Sequence, residues 1–189
     1  MTVFYRGAAP GTYWNTNDAR LSGFTARTPG MLHSADRVIQ HVYNALTNSP
    51  YVSLSLSYGV ALHYALEMGT SQPTALNPGF VYEVEVNASH GVDLIDPVKA
   101  VATGAPDPLS SVNYQHNGSP TVLLGVVSPV FGRLLFTPIP VPPGAVSPAT
   151  HTLSMGSHVW ALTAALRDAE ILVRGSVPAS CVVRRHSVY

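Results

Sequence analysis

A proline-rich stretch most constrains how this chain can fold. Residues 103–156 carry many prolines and glycines, and five of the chain's 16 prolines lie between Pro138 and Pro148. Proline fixes its own φ and has no backbone N–H to donate, so this density disfavours helices and central strands. We predict a loop with one or two irregular strands here, as a proline-rich insertion in a single domain spanning residues 1–189.

Hydrophobic periodicity outside the insertion predicts short strands and a few helices. The predicted strands are residues 2–5, 51–55, 80–86, 92–95, 171–173 and 181–183, and the predicted helices begin at residues 34, 57, 97 and 157. In the second helix Ser57 is the expected cap, and Tyr64 falls on an apolar stripe with Val60, Ala61 and Ala65. Since these elements do not alternate as βαβ units, we predict an α+β fold.

Charge and cysteine content exclude several classes of protein. Ten basic and ten acidic residues cancel, so the net charge gives no general attraction to nucleic acid, although a local basic patch stays compatible with it. Cys181 is the one cysteine, which excludes an intrachain disulfide, and no metal-ligand spacing is present. We therefore expect no metal, and nucleic acid is not the expected partner.

Hydrophobic runs are too short or too interrupted to act as membrane segments. The most apolar run, residues 121–130, is broken by Gly125 and Pro129. Arg6 lies where a secretory signal would carry its apolar stretch, so no signal peptide is expected in this chain.

Several short motifs follow one another in a recognisable order. Phe4–Arg6 (FYR) ends the first predicted strand, Gly23–Ala26 (GFTA) follows about twenty residues later, and His41 lies on the next predicted helix. Tyr51–Ser57 (YVSLSLS) gives a strand that leads into a helix, where alternation places Ser53 and Ser55 on one side.

Two further motifs complete the series. Gly79–Val84 (GFVYEV) comes next along the chain, and Asp168–Pro178 (DAEILVRGSVP) is the last motif. Together these pieces resemble the bacterial mono-ADP-ribosyltransferase toxins of the pertussis and cholera toxin catalytic-subunit type, and they span nearly the whole chain.

The resemblance implies an ADP-ribosyltransferase-like fold, with two roughly perpendicular antiparallel sheets, flanking helices and an NAD cleft. It also implies transfer of ADP-ribose from NAD to a target protein, with release of nicotinamide. Such domains act as toxins or effectors, which predicts a chain that is secreted or delivered into a target cell.

The resemblance assigns the main catalytic roles to three residues. Glu170 would stabilise the positive charge that develops on the ribose, and Ser53 would hold the Glu170 rotamer. Arg6 would bind the pyrophosphate of NAD through its permanently charged guanidinium.

Five further residues are weaker candidates. His41 would polarise the acceptor or contact the ribose, and Asp168 would orient the acceptor or act as a base, with an exposed histidine and a turn cap as the plain alternatives. Tyr5, Ser55 and Tyr51 are candidate NAD contacts, and for Tyr51 packing in the core is equally compatible with the sequence.

This chain departs from the family at several positions. Leu54 stands where the family usually has threonine, and Asp168 stands where it has glutamate or glutamine. The latter position is associated with acceptor choice, so the acceptor stays open. The insertion is longer than the family's equivalent, and the disulfide of pertussis-type domains cannot form.

Two other functions are compatible with the sequence. An NAD glycohydrolase would use the same fold and site with water as the acceptor. A non-catalytic binding module would retain the scaffold and could use the apolar stretch from Leu123 to Phe136 as a partner surface.

Overall fold

The computed structural model of the chain describes residues 2–44, 48–104, 115–116, 119–120, 161 and 164–189. The strands are β1 (Thr2–Ala8), β2 (Phe24–Thr25), β3 (Tyr51–Ser55), β4 (Gly79–Val86), β5 (Asp93–Ile95), β6 (Gln115–His116), β7 (Ser119–Pro120), β8 (Glu170–Arg174), β9 (Ser176–Val177) and β10 (Val182–Val188). The helices are α1 (Tyr13–Thr16), α2 (Ala19–Ser22), α3 (Ala35–Asn44), α4 (Tyr58–Glu67) and α5 (Pro97–Gly104), and residues 161 and 164–167 are also helical.

The strands form a mainly antiparallel architecture. Six of them make one sheet in the order β10-β4-β1-β3-β8-β5, in which every neighbouring pair is antiparallel. Strands β2 and β9 pair separately, as do β6 and β7 within the proline-rich insertion. An antiparallel sheet with helices agrees with the predicted α+β class.

The six-stranded sheet is held at its middle by one pair of residues. Strand β1 pairs with β4 at seven positions and β3 pairs with β8 at five, whereas β1 and β3 are paired at Tyr5 and Ser55 alone. The sheet therefore consists of two three-stranded halves, β10-β4-β1 and β3-β8-β5. These halves correspond most nearly to the two sheets expected from the sequence, and their perpendicular arrangement stays a prediction.

Helix α4 packs directly against the first half because glycine lines the contact. A Cβ atom on Gly7 would overlap the carbonyl oxygen of Ala61 and lie 2.8 Å from the backbone nitrogen of Ala65. The helix begins as predicted, with the Ser57 hydroxyl accepting the Val60 N–H at 3.3 Å. This close approach brings α4 to the edge of the site described below.

Three hydrophobic clusters pack against the sheet within the described residues. The largest includes Phe24, Tyr82 and Val173, and a second joins Val38 and Ile39 of α3 to Tyr51 and Leu172. The third, the α4 cluster, joins Ala61 and Ala65 of α4 to Val81 of β4. Cys181 is buried, and burial raises the pKa of its thiol.

Several predicted boundaries are wrong. Strand β1 continues beyond Tyr5 to Ala8, because Ala8 still pairs with Phe80 of β4. Between β1 and the first predicted helix lie α1, α2 and β2, where no element was predicted. The last strand begins at Val182, since Cys181 closes a short 3-10 turn.

Some expectations lie outside the described residues. These are the end of the first predicted helix at 45–47, the start of the last one at 157–160, most of the insertion and the apolar stretch Leu123–Phe136. Within the described ranges, no group of three histidine, cysteine or acidic residues could hold a metal ion. Across the same ranges, no helix has both the length and the apolar character that crossing a membrane requires.

Candidate active site

A large cavity lies at the junction of the two sheet halves. Its volume is about 990 Å³. All eight residues selected from the sequence line it, namely Tyr5, Arg6, His41, Tyr51, Ser53, Ser55, Asp168 and Glu170. They come from β1, α3, β3 and the start of β8, so the fold brings together positions that are up to 165 residues apart, from Tyr5 to Glu170.

Arg6 enters the cavity from β1. One of its terminal nitrogens donates a hydrogen bond to the Ser53 carbonyl, and its guanidinium lies 5.5 Å from the centre of the Phe24 ring. The Nε atom is buried and has no hydrogen-bond partner among the described residues. Burial lowers the pKa of Arg6 to about 10, against the attraction of Glu170, so Arg6 is cationic at neutral pH.

Arg27 adds a second guanidinium to the same cavity. Its side chain is exposed, and it makes no ion pair within the part of the chain that the structure describes. Its charge contributes to lowering the pKa of Arg6, which places the two cations near one another. Sequence reasoning missed Arg27, whose one local signal is its place directly after the Gly23–Ala26 motif.

Glu170 begins β8 directly opposite Ser55 of β3. Burial raises the pKa of its carboxyl to about 7, although a hydrogen bond with the Ser53 side chain favours the ionised form. The charge of Asp168 raises this pKa further, while Arg167 and Arg6 lower it. The result is a carboxyl group that gains its charge near neutral pH.

His41 is joined to Glu170 through Ser53. The His41 Nε2 atom lies 2.8 Å from the Ser53 hydroxyl, and burial, followed by the charge of Arg6, lowers the pKa of His41 to about 4. The imidazole is therefore neutral at physiological pH. If the Ser53 hydroxyl donates to Glu170, His41 must donate from Nε2, which leaves Nδ1 as an acceptor. That Nδ1 atom is buried and has no partner among the described residues.

Three of the candidate NAD contacts have structural partners. Tyr51 is only 4 % exposed and packs edge-on against His33 and His41, so it lies in the core, and its contact with NAD stays a prediction. The Tyr5 ring packs edge-on against Tyr58 and the α4 cluster. The Ser55 hydroxyl donates to the Asp168 carbonyl at 2.6 Å and accepts the Ser57 N–H at 3.0 Å. Its buried hydroxyl therefore joins two backbone segments, and a contact between Ser55 and NAD stays a prediction.

Asp168 is paired with two side chains that sequence reasoning missed. Arg167 donates to both carboxylate oxygens at 2.7 and 2.6 Å, and the Tyr64 hydroxyl donates at 2.9 Å. Burial and the Asp168 charge raise the pKa of Tyr64, which keeps the phenol protonated. Tyr64 looked like a member of an apolar stripe, and only its polar tip distinguished it from Val60 and Ala61.

Ala169, between the two acidic residues, has an unusual backbone. Its φ of 45° lies in the left-handed region, which costs a residue with a Cβ about 1–2 kcal/mol. Its carbonyl accepts the Leu56 N–H at 3.0 Å, and its own N–H donates to the Leu166 carbonyl at 3.2 Å. This turn delivers Glu170 to the first position of β8.

Comparison with known proteins gives little further information. No family model matches this chain, and no curated protein matches it. Among solved structures, the chain is similar to one titled "CARDS toxin, nicked", with a TM-score of 0.44 and 15 % identity over 97 % of this chain and 25 % of that chain. The chain thus spans about a quarter of that protein.

Proposed function

We propose that this chain has an ADP-ribosyltransferase-like fold and transfers ADP-ribose from NAD to a target protein, releasing nicotinamide. The observation that supports this most directly is the meeting of Glu170 and Arg6 in one cavity, with Ser53 in contact with both. Together with the sequence resemblance, this supports a toxin or effector that is delivered into a target cell. That localisation is part of the proposal.

The cavity suits a large polar anion such as NAD. Its volume of about 990 Å³ is at the upper end of the roughly 300–1,000 Å³ found for ligand pockets. Buried polar atoms normally have hydrogen-bond partners, so the unpartnered Arg6 Nε and His41 Nδ1 are suitable ligand contacts. Two neighbouring guanidiniums, Arg6 and Arg27, match the double charge of a pyrophosphate.

The residues around Glu170 fit the expected bond cleavage. Breaking the bond between nicotinamide and ribose develops positive charge on the ribose. The ionised Glu170 carboxyl supplies a compensating charge at a buried position, where electrostatic interactions are stronger than in water. Ser53 restrains that carboxyl, and neutral His41 restrains Ser53 without adding a competing positive charge.

Water is the second candidate acceptor. The Asp168 carboxylate, at the position associated with acceptor choice, already binds Arg167 and Tyr64. Because this carboxylate is already occupied, an NAD glycohydrolase, with water as the acceptor, is the alternative function.

The test uses purified chain with NAD labelled in the adenylate part, with and without cell lysate. Nicotinamide release together with labelled lysate proteins supports the transferase. Release with free ADP-ribose and no labelled protein supports the glycohydrolase. A folded chain that releases no nicotinamide in either condition overturns both and favours the binding module.

Nicotinamide release should rise about tenfold between pH 6 and pH 8, because the ionised fraction of a carboxyl with a pKa of about 7 rises by that factor. The pKa of this carboxyl depends on four neighbouring groups, namely Arg6, Arg167, Asp168 and Ser53. The midpoint of the pH profile therefore reports whether the site is intact. The measurement is kcat/KM for NAD, which reports the pKa of the ligand-free site, with circular dichroism at each pH as the folding control. A flat profile would contradict the assignment of Glu170.

Arg27→Ala should raise KM for NAD by about tenfold, the loss of roughly one charge-assisted contact of 1.4 kcal/mol. We expect kcat to change little, since Arg27 is not among the groups that influence the Glu170 pKa. The matched control is Arg184→Ala, whose side chain is 71 % exposed on β10. Equal KM values in the two variants would remove Arg27 from the proposed site.

A further inference from the structure

Asp168 is the most heavily engaged charged group in the cavity. The whole Asp168 residue is 8 % exposed, and the side chains of Asp168 and Arg167 are each 12 % exposed. Three hydrogen bonds from Arg167 and Tyr64 occupy its two oxygens. A bidentate contact with so little solvent fixes the orientation of both partners.

The backbone beside Asp168 is held just as firmly. The Asp168 carbonyl accepts from the Ser55 hydroxyl at 2.6 Å, and the Ala169 carbonyl accepts from the Leu56 N–H at 3.0 Å. Thus the two residues before Glu170 are tied to the end of β3, while the Asp168 side chain is tied to Tyr64 of α4. Glu170 follows these contacts directly in the chain.

We propose that Asp168, Arg167 and Tyr64 form a clamp that positions Glu170, and that Asp168 does not serve as the base for the acceptor. The inference rests on the proposed function, which it deepens. It makes Asp168 a positioning residue, whereas the family resemblance suggested an acceptor-orienting one. The acceptor must then lose its proton to a group other than Asp168.

The two roles predict different behaviour for Asp168→Asn and Tyr64→Phe. For a clamp, each variant lowers kcat for hydrolysis and for transfer by the same factor, about three- to tenfold, while KM for NAD stays constant because Arg6 is untouched. The two changes combined should cost less than the product of their separate effects, as expected for contacting residues. For a base, Asp168→Asn lowers transfer alone and Tyr64→Phe leaves both rates unchanged.

The pH profile gives a readout that a purely structural role would not move. The charged groups facing Glu170 are Arg6 from β1, Arg167 from the preceding helical segment and Asp168 from the turn after it, with Tyr64 of α4 and neutral His41 of α3 nearby. The Asp168 charge raises the pKa of Glu170, so Asp168→Asn should shift the acid limb of the pH profile to lower pH. Tyr64→Phe keeps that charge and should leave the limb in place.

Amide hydrogen exchange tests the clamp separately from any reaction on NAD. The Leu56 amide, bonded to Ala169, should exchange faster in Asp168→Asn and Tyr64→Phe than in the control Tyr58→Phe, which alters an exposed tyrosine of the same helix. If the unmodified chain releases no nicotinamide, the proposed function fails, and the exchange data still decide the clamp. Unchanged exchange in both variants, or selective loss of transfer in Asp168→Asn, would overturn it.

Discussion

Glu170→Gln should lower nicotinamide release by about 10²–10³-fold or more, the usual cost of removing one preorganised electrostatic group from an active site. Glutamine has the same shape and can still accept from Ser53, so the change removes the charge and little else. Because Arg6 and Arg27 are unaltered, NAD should still bind with an affinity within several-fold of the unmodified chain. The measurements are kcat for nicotinamide release and calorimetric binding of NAD.

The stability of Glu170→Gln serves as an internal control. A carboxyl whose folded pKa is raised from 4.5 to about 7 binds its proton more tightly in the folded state, so its contribution to stability is lost as pH rises between those values. At about pH 8 the variant should therefore be the more stable protein, by on the order of 2–3 kcal/mol. Glu67→Gln, an exposed carboxylate outside the cavity, is the matched substitution and should leave the rate unchanged. Full activity in Glu170→Gln would refute the proposed role.

Gly7→Ala should destabilise the protein by about 3 kcal/mol, at the upper end of the costs of overpacking. The new Cβ would overlap the Ala61 carbonyl and crowd the Tyr64 Cβ at 2.8 Å, so α4 must move away from β1. Since backbone atoms form most of this contact, a rotamer change cannot relieve it. Urea unfolding measures the loss, which appears as a lower midpoint at constant m-value.

Gly30→Ala is the control for Gly7→Ala. Gly30 is exposed, and a Cβ added there meets no atom within 4 Å, so the free energy of unfolding should change by less than about 0.5 kcal/mol. Because α4 carries Tyr64, the displaced helix in Gly7→Ala should also disturb the Asp168 contacts. Equal stability of the two alanine variants would show that α4 does not lie against Gly7 in solution.

Local sequence signals were sufficient for most elements around the site. The alternation in Tyr51–Ser55 predicted β3 with its exact bounds, and Ser57 predicted the start of α4. The end of β1 could not be read in this way, because Gly7 and Ala8 have weak strand preferences. They are strand residues owing to seven paired positions with β4, a long-range contact without a local signal.

The candidate site was predictable as a set of residues and less so as a set of roles. Order and spacing of motifs selected Arg6, Ser53 and Glu170, which the fold brings to one cavity. The contacts of Asp168 depend on Tyr64, 104 positions earlier, and Ser55 turned out to bond the Asp168 backbone, 113 positions later. Such partners follow from three-dimensional packing, which neither periodicity nor motif spacing encodes.

The single Tyr5–Ser55 pair between β1 and β3 has a consequence for Arg6. Continuing the register by two residues on each strand would set Gly7 opposite Ser53, yet no pair forms there. The Ser53 carbonyl instead accepts from the Arg6 guanidinium, so a side-chain hydrogen bond takes the place of the backbone hydrogen bond that is absent between the two strands. The gap in the ladder thus creates room for a ligand and at the same time retains a buried cation beside it. Arg6 is consequently part of the sheet as well as part of the cavity wall.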